Sequence, residues 1–468
     1  MDKIETQKVR TQVPEMRRVK RIHFIGIGGA GMSGIAEVLV NEGYEITGSD
    51  INSNPVTEHL KSLGATIFIG HDANNVKGAS VVVISSAIKK KNPELVAAKE
   101  LRIPIVKRAE MLAELMRYRH GIAIAGTHGK TTTSSMVSCV FVEKGLDPSI
   151  QIGANLTQIG GNYRVGKSDY FIIEACEYKD SFQNFKQRSA IITNIDNDHL
   201  DYFKNIDNIS KTFEKYVSKL PEDGVLVLNM DNARCYDLRN YTKANVITVS
   251  ENNKEADYYT DNITYDDRGC PSYDIYRNDE LVTRVSLNVR GEHNVLNSLE
   301  AFALCSWYGI DTESIVKGLA SFTGASRRME YKGKFNGANV YDDYGHHPTE
   351  IEATSNAILK EKHNESYAIF EAHTYSRAVE HMDSFVESLR KFDHIIVIDI
   401  YAAREENIYG VKPEDIVEKL VKRGKDAVYI SDYDEIKKYL SSRVKEGDLI
   451  ITIGAGNVTK VASKLVED

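Results

Sequence analysis

No two cysteines in this 468-residue chain stand in C-x-x-C spacing, and the five present (Cys139, Cys176, Cys235, Cys270 and Cys305) are odd in number. That pattern argues against a disulfide framework and against a structural zinc site. No run approaches the roughly 20 apolar residues that span a bilayer. Met1–Lys20 is polar and mixed in charge, without the apolar stretch of a secretory signal. The expectation is a cytoplasmic chain with no membrane insertion and a loose tail over about the first 15 residues. A basic excess is missing too: 59 Lys and Arg face 67 Asp and Glu, for a formal charge of −8. Nucleic acid is therefore not expected as a partner. Repeats and low-complexity tracts are absent.

What is present is ordinary for a globular protein: 42% hydrophobic and 27% charged residues. The length suggests about three domains. Short runs rich in Val, Ile and Tyr read as strands buried on both faces. They are Arg21–Ile25, Glu45–Gly48, Val81–Ser85 and Ile103–Val106, then Ile122–Ala125, Tyr170–Glu174, Ala190–Asn194 and Val225–Asn229. The last third adds Asn339–Asp342, Tyr367–Phe370, Ile395–Asp399, Val428–Ile430 and Leu449–Ile453. Helical patterns such as Gly31–Gly43 and Lys130–Lys144 lie between them. Such alternation predicts parallel α/β sheets. Breaks near His120 and Gly324 divide the chain into α/β domains over 1–120, 121–324 and 325–468. Asp257–Val289 alternates polar and apolar residues and reads as an antiparallel excursion within the middle domain.

Five motifs carry chemistry. Gly26-Ile-Gly28-Gly29-Ala30-Gly31 follows a strand and opens a helix, where backbone N–H groups and the helix N-terminus suit a pyrophosphate. Asp50 ends the next strand, where a ribose-binding acid would sit. NAD and a UDP-sugar both satisfy this pattern. Gly126-Thr127-His128-Gly129-Lys130-Thr131-Thr132-Thr133 also joins a strand to a helix. Its N–H groups suit ATP or GTP phosphates, with Lys130 reaching the β/γ-phosphates and Thr131 holding Mg²⁺. Ile124 stands where the ordinary P-loop has its first glycine, so the loop is a tighter variant.

Glu174, Glu177, Asn194, Asp198 and His199 lie at or just past strand ends, where α/β proteins bind ligands. Glu174 suits a hard cation. Asn294 and Asn297 share one helix face, fit to read an adenine edge, although helix capping by Asn294 explains it equally well. The last third holds Arg327-Arg328, the Asp342–Pro348 run with Tyr344, His346 and His347, and His373–Arg377.

In order and spacing these motifs resemble the Mur ligases of bacterial cell-wall synthesis. The run Ile22–Glu37 is similar to that of members that add L-alanine to UDP-N-acetylmuramate, and Thr452-Ile-Gly-Ala-Gly456 completes the set. The resemblance implies a Rossmann-like N-terminal domain that binds the UDP-sugar, a central P-loop-type ATPase domain, and a Rossmann-like C-terminal lid that brings the amino acid. It assigns Gly28, Gly29, Ala30, Gly31, Met32, Ser33, Asp50, His71, Ser85 and Arg108 to the UDP-sugar side. Lys130 would contact the ATP phosphates, with Thr131, Glu174 and His199 around Mg²⁺ and Glu174 reaching the substrate. Asn294 and Asn297 fall where adenine binds, and Arg328, Asp342 and His347 near nucleotide and phosphate. His199, Tyr344, His373 and Arg377 would surround the amino acid, and Lys130, His199 and His347 carry the catalytic roles. A monomer or weak homodimer is expected. A tripeptide-adding relative, a nicotinamide-dependent dehydrogenase and a nucleotide-switched UDP-sugar sensor are the alternatives. The Gly28–Gly34 run disfavours the first, Gly126–Thr133 the second, and the Asp342–His347 cluster the third.

Overall fold

The computed structural model describes residues 19–467, with Ser86, Tyr118, Arg404 and the side chains of Ala30 and Asp201 left aside. The expected N-terminal tail thus lies outside the described residues. The first sheet contains β1 (Arg21–Ile25), β2 (Glu45–Asp50), β3 (Thr66–Ile69), β4 (Val81–Ile84) and β5 (Ile105–Lys107). Its order is β3-β2-β1-β4-β5 and every pair is parallel. The chain returns through α1 (Ala30–Asn41), α2 (Pro55–Ser62), α3 (Pro93–Glu100) and α4 (Arg108–Met116). Met32, Ile35, Ala36 and Leu39 recur at helical spacing and bury one side of α1. Asn54 starts α2: its side chain accepts the Thr57 N–H, the Thr57 hydroxyl accepts the Asn54 N–H, and Pro55 takes the first turn.

The second sheet is built around β6 (His120–Ala125), whose Ile122, Ala123, Ile124 and Ala125 are all fully buried. With it run β7 (Ser149–Leu156), β8 (Gly161–Arg164), β9 (Tyr170–Glu174), β10 (Ser189–Ile192), β11 (Val225–Asn229) and β12 (Asn245–Ser250), in the order β12-β11-β10-β6-β9-β7-β8. Only β8 runs antiparallel to its neighbour here. The helices are α5 (Lys130–Glu143), α6 (Leu200–Phe203), α7 (Ile206–Val217) and α8 (Ala233–Asp237). α7 turns Ile209, Phe213, Tyr216 and Val217 inward, and Tyr216 stacks on Phe182 at 4.1 Å.

The expected antiparallel stretch forms β13 (Tyr258–Tyr265), β14 (Pro271–Arg277) and β15 (Glu280–Ser286). Then come α9 (His293–Trp307) and α10 (Thr312–Ser321). The chain divides into two compact units. One runs to Val249 and includes Glu255–Asp257 and Glu300–Gly318; the other holds Ser250–Lys254, Tyr258–Leu299 and everything from Leu319. The antiparallel strands therefore group with the C-terminal unit, and the division falls within α9.

The third sheet has β16 (Glu330–Phe335), β17 (Ala338–Asp343), β18 (Ser366–Phe370), β19 (His394–Val397), β20 (Asp426–Tyr429) and β21 (Leu449–Ile453). Its order is β16-β17-β21-β18-β19-β20, with β16 antiparallel. Alternate residues feed two cores: Tyr341, Phe370, Ile395 and Ile451 on one face, Val340, Ile369, Ile396 and Ile450 on the other. That period of two, apolar on both faces, is why these strands read as continuous hydrophobic runs. Helices α11 (Pro348–Ile358), α12 (Tyr375–Glu380), α13 (Met382–Leu389), α14 (Pro413–Lys422), α15 (Tyr433–Ser441) and α16 (Thr459–Val466) complete it.

Candidate active site

A sheet of order β3-β2-β1-β4-β5 has its ligand crevice outside the carboxyl ends of its strands. Every residue expected on the UDP-sugar side lies on that edge. Gly28 to Ser33 follow β1, Asp50 ends β2, His71 follows β3, Ser85 follows β4, and Arg108 follows β5. Asp50 Oδ2 accepts the Gly28 N–H at 2.8 Å, so the acid shapes the glycine turn. Arg108 packs against Gly31, and Gln151 of β7 donates to the Gly31 carbonyl at 3.2 Å. Met32 and Ser33 are buried, while Ala30 contributes backbone to the first turn of α1.

His71 faces inward as well. Its Nδ1 lies 2.9 Å from Glu94 Oε2 and 3.0 Å from Ser49 Oγ. Glu94 is wholly buried and also accepts from Ser49 at 2.5 Å and Asn75 at 2.6 Å, with His23 Nε2 at 3.7 Å. Burial alone would raise the Glu94 pKa, but the facing His23 ring and hydrogen bonds from Ser49 and Asn75 outweigh it and hold the group at about 2 against an ordinary 4.5. A depressed acid stabilises the fold above its unfolded pKa and loses that contribution as pH falls through the folded value. The advantage of the parent over Glu94→Gln in urea unfolding is therefore expected to shrink between about pH 4.5 and pH 2. An advantage that stays constant across that range would sink the assignment.

The loop after β6 is fastened by the segment after β10. Thr127 N–H donates to the Asn194 carbonyl at 3.0 Å, and His128 N–H to Asn194 Oδ1 at 2.9 Å. Thr193 Oγ1 donates to the His128 carbonyl at 2.5 Å, and Asp196 N–H to Thr127 Oγ1 at 2.9 Å. Gly129 is left-handed and leads into Lys130, the first residue of α5. Lys130 Nζ sits in a cage: Gly126 O at 2.6 Å, Thr127 O at 2.8 Å and Glu177 Oε2 at 3.1 Å. Burial opposes its charge, yet the Glu177, Cys176 and Glu174 side chains outweigh burial and raise its pKa. Thr131 Oγ1 donates to Glu174 Oε2 at 2.8 Å, and Gly153 N–H reaches the same oxygen at 2.7 Å.

His199 has left-handed backbone, φ 53°, at the start of α6. A non-glycine residue there stores strain of about 1–3 kcal/mol, and such outliers gather at working sites. Its ring lies 4.5 Å from Tyr178, and its Nε2 is 3.8 Å from Glu177 Oε1. Lys130, Thr131, Glu174 and His199 are thus brought together, with Glu177 common to the lysine and the histidine. Beneath them Thr133 Oγ1, one residue past Thr132 on α5, meets Glu300 Oε2 of α9 at 3.4 Å. Glu300 is buried and its Oε1 has no partner among the described residues.

The C-terminal unit gathers a second set. Arg327 and Arg328 flank the Tyr344 ring, 4.8 and 5.4 Å from its centroid. Tyr344 is 5.6 Å from His346, which is 5.5 Å from His373. Arg377 Nη1 lies 3.3 Å from His373 Nδ1. His347 caps α11: its Nδ1 accepts the Thr349 N–H, and Glu350 accepts the N–H groups of His346 and His347. Asp342 is fully buried, its oxygens engaged by Arg327, Thr452 and Thr459. Asn297 Nδ2 donates to Asn294 Oδ1 at 2.9 Å, and Asn294 Nδ2 to Arg290 O at 2.6 Å. The Asn294 oxygen therefore serves its neighbour's amide and not a helix N–H.

Three family models match in succession: Mur ligase family, catalytic domain, over 21–120; Mur ligase middle domain over 124–305; and Mur ligase, glutamate ligase domain, over 327–456. The chain belongs to the Mur ligase family. A UDP-N-acetylmuramate–L-alanine ligase of Caldanaerobacter subterraneus subsp. tengcongensis is 45% identical to this Mur ligase, covering 97% of it and 99% of the relative. One from Clostridium novyi is 44% identical over 96% and 97%. Among solved structures, a UDP-N-acetylmuramate-alanine ligase from Thermotoga maritima superposes with a TM-score of 0.80 at 27% identity, covering 95% and 98%. A murein peptide ligase from Psychrobacter arcticus shares the fold at 24% identity and a TM-score of 0.69, covering 96% and 98%. The three-domain α/β fold of the family is therefore the fold of this chain.

Two residues of this Mur ligase carry more than their sequence context suggests. Glu177 was visible only as a second acid three residues beyond Glu174; the structure makes it the partner of Lys130. Asn194 looked like a ligand-end residue, and it clasps the loop after β6 at His128. No helix among the described residues is long and apolar enough to cross a membrane.

Proposed function

We propose that this chain joins L-alanine to the lactyl carboxylate of UDP-N-acetylmuramate, converting ATP to ADP and phosphate, as a step in peptidoglycan precursor synthesis. The observation that carries the reading is 44–45% identity, over nearly the full length, to ligases of that name. The caged Lys130 at the head of α5 supports it. A carboxylate oxygen is a poor leaving group, so the acid must first be activated. In this reading the lactyl carboxylate attacks the γ-phosphate, and the charged Lys130 with the α5 N-terminus steadies the transferring group. The resulting acyl phosphate must meet the alanine amine before water reaches it.

Residues 1–120 would hold the UDP-sugar, 121–324 ATP and 325–468 the amino acid. Asn294, Asn297 and Arg328 are assigned to the nucleotide, Asp342 acting through Arg327. Tyr344, His373 and Arg377 are assigned to alanine, and His199 and His347 to the neighbourhood of the reacting groups. The Glu174 carboxylate and Thr131 hydroxyl form a hard oxygen pair that suits Mg²⁺, with His199 nearby. Bound there, the ion would add charge neutralisation at the phosphates. A cytoplasmic monomer or weak homodimer fits this role.

Phosphate release with ATP and UDP-N-acetylmuramate should depend on L-alanine. Glycine and L-serine should be weaker by about 10–200-fold, the worth of one small group in a pocket. Release with a cell-wall tripeptide and none with L-alanine would overturn the reading.

A further inference from the structure

The run Thr452-Ile-Gly454-Ala-Gly456 leaves β21 and enters α16 as a phosphate-binding loop would. The N–H groups at its end and just beyond it are already engaged. Asn457 N–H donates to Glu371 Oε1 at 3.0 Å and Val458 N–H to Glu371 Oε2 at 3.3 Å, with Gly456 N–H a third backbone partner. Glu371 is only 3% exposed. The fit is close: a Cβ on Gly456 would lie 2.4 Å from Glu371 Oε2 and 2.5 Å from the Tyr401 ring. On the carbonyl side, Arg327 Nη2 donates to Gly454 O at 2.5 Å. The loop is thus clamped by an acid at its N–H groups and by a base at its carbonyl.

Glu371 follows β18 directly and stands two residues before His373. Its own N–H donates to the Ile453 carbonyl at 2.9 Å. Tyr401 N–H donates to Ala372 O and Thr374 N–H to Tyr401 O, each at 2.8 Å. Thr374 is held at φ 70°, a left-handed conformation that a β-branched residue adopts only when its surroundings impose it. The glycine loop, Glu371 and the His373–Arg377 segment are therefore one connected piece.

We propose that Glu371 is the internal anion of this glycine loop: it fills the cradle that would otherwise take a phosphate, and it positions the His373–Arg377 segment for the amino acid. The second half rests on the reading of His373 and Arg377 as amino-acid contacts; the first half does not. Glu371 is a positioning residue, with no role in bond making. Glu371→Ala empties the cradle. Glu371→Gln keeps one acceptor oxygen but turns an amide NH₂ toward backbone N–H donors, and so is intermediate.

Both halves are tested in the full chain. Thermal unfolding is followed in sodium sulfate against sodium chloride of equal ionic strength. Glu371→Ala should gain a sulfate-dependent rise in Tm beyond that of the parent, whose phosphate loop after β6 provides the common background. In steady state, the KM for L-alanine should rise about tenfold or more in Glu371→Ala and less in Glu371→Gln, with the KM for ATP and for the UDP-sugar within about twofold, since only one set of buried hydrogen bonds is lost. An equal sulfate response in parent and variant overturns the internal-anion assignment. An unchanged alanine KM in folded Glu371→Ala overturns the positioning role. Should Glu371→Ala not fold, Glu371→Gln decides both, a parental sulfate response and a parental alanine KM counting against them. A parent inactive with L-alanine refutes the functional reading and leaves the sulfate comparison in force.

Discussion

Lys130→Ala is expected to lower the rate of phosphate release by about a thousandfold or more, because a preorganised donor at a transferring phosphoryl group is worth 10²–10³ and this one is charged. Its cage explains why no neighbour substitutes. The ammonium is fixed by two loop carbonyls and Glu177, within 3.1 Å of each. Affinity for the UDP-sugar, measured by calorimetry, should stay at the parental level, since Asp50 and the Gly28 turn belong to the first sheet. Stability should also fall. Glu177, 2% exposed, loses its cation, and an uncompensated buried charge costs about 3–5 kcal/mol. The double variant Lys130→Ala/Glu177→Gln should recover most of that loss in urea unfolding and none of the activity. A single variant that turns over within tenfold of the parent would refute the role given to Lys130.

Gly126→Ala is expected to cost about 2–6 kcal/mol, combining overpacking with backbone strain, and to abolish ATP binding. Gly126 has φ 135°, which alanine adopts poorly. The added Cβ would lie 2.0 Å from Thr193 Oγ1 and 3.0 Å from Thr193 N. The hydroxyl it would displace is the one that donates to the His128 carbonyl. Removing that oxygen in Gly126→Ala/Thr193→Ala should recover part of the stability, leaving the strain in place. Urea unfolding and calorimetric titration with ATP read both quantities. Parental ATP affinity in the single variant would show that the loop accommodates the methyl group and that its geometry is not so narrowly set.

The core strands were legible because their apolar runs are buried on both faces: β1, β9, β11 and β21 have the bounds expected from sequence. β3 was not legible, since its four residues lie half-exposed at a sheet edge and show no buried run. β7 was missed because Gly153-Ala154-Asn155 interrupts its pattern, and that same Gly153 delivers an N–H to Glu174. The loop after β6 was legible because its pattern is local, two residues framed by Gly126 and Gly129 and then a lysine. The roles of Glu177 and Asn194 were not. Glu177 stands 47 positions from Lys130 and Asn194 stands 66 from His128, distances that only the sheet order closes. Asp342 shows the converse. Its motif suggests an acid facing a ligand, and its hydrogen bonds run to Arg327, Thr452 and Thr459.

Glu300, under the first turns of α5, gives this part of the second sheet a proton inventory of its own. Burial pushes its pKa up to about 8, against a weaker downward pull from the Thr133 hydroxyl. At neutral pH the folded chain therefore holds a hydrogen ion at this carboxyl that the unfolded chain has released, so folding there takes one up. Because the native state binds the extra proton between the ordinary value of 4.5 and about 8, its stability at this position declines as the solution turns alkaline across that interval. Glu94 has the opposite slope on the acid side, and the two buried acids bracket the pH range in which this half of the molecule is most secure.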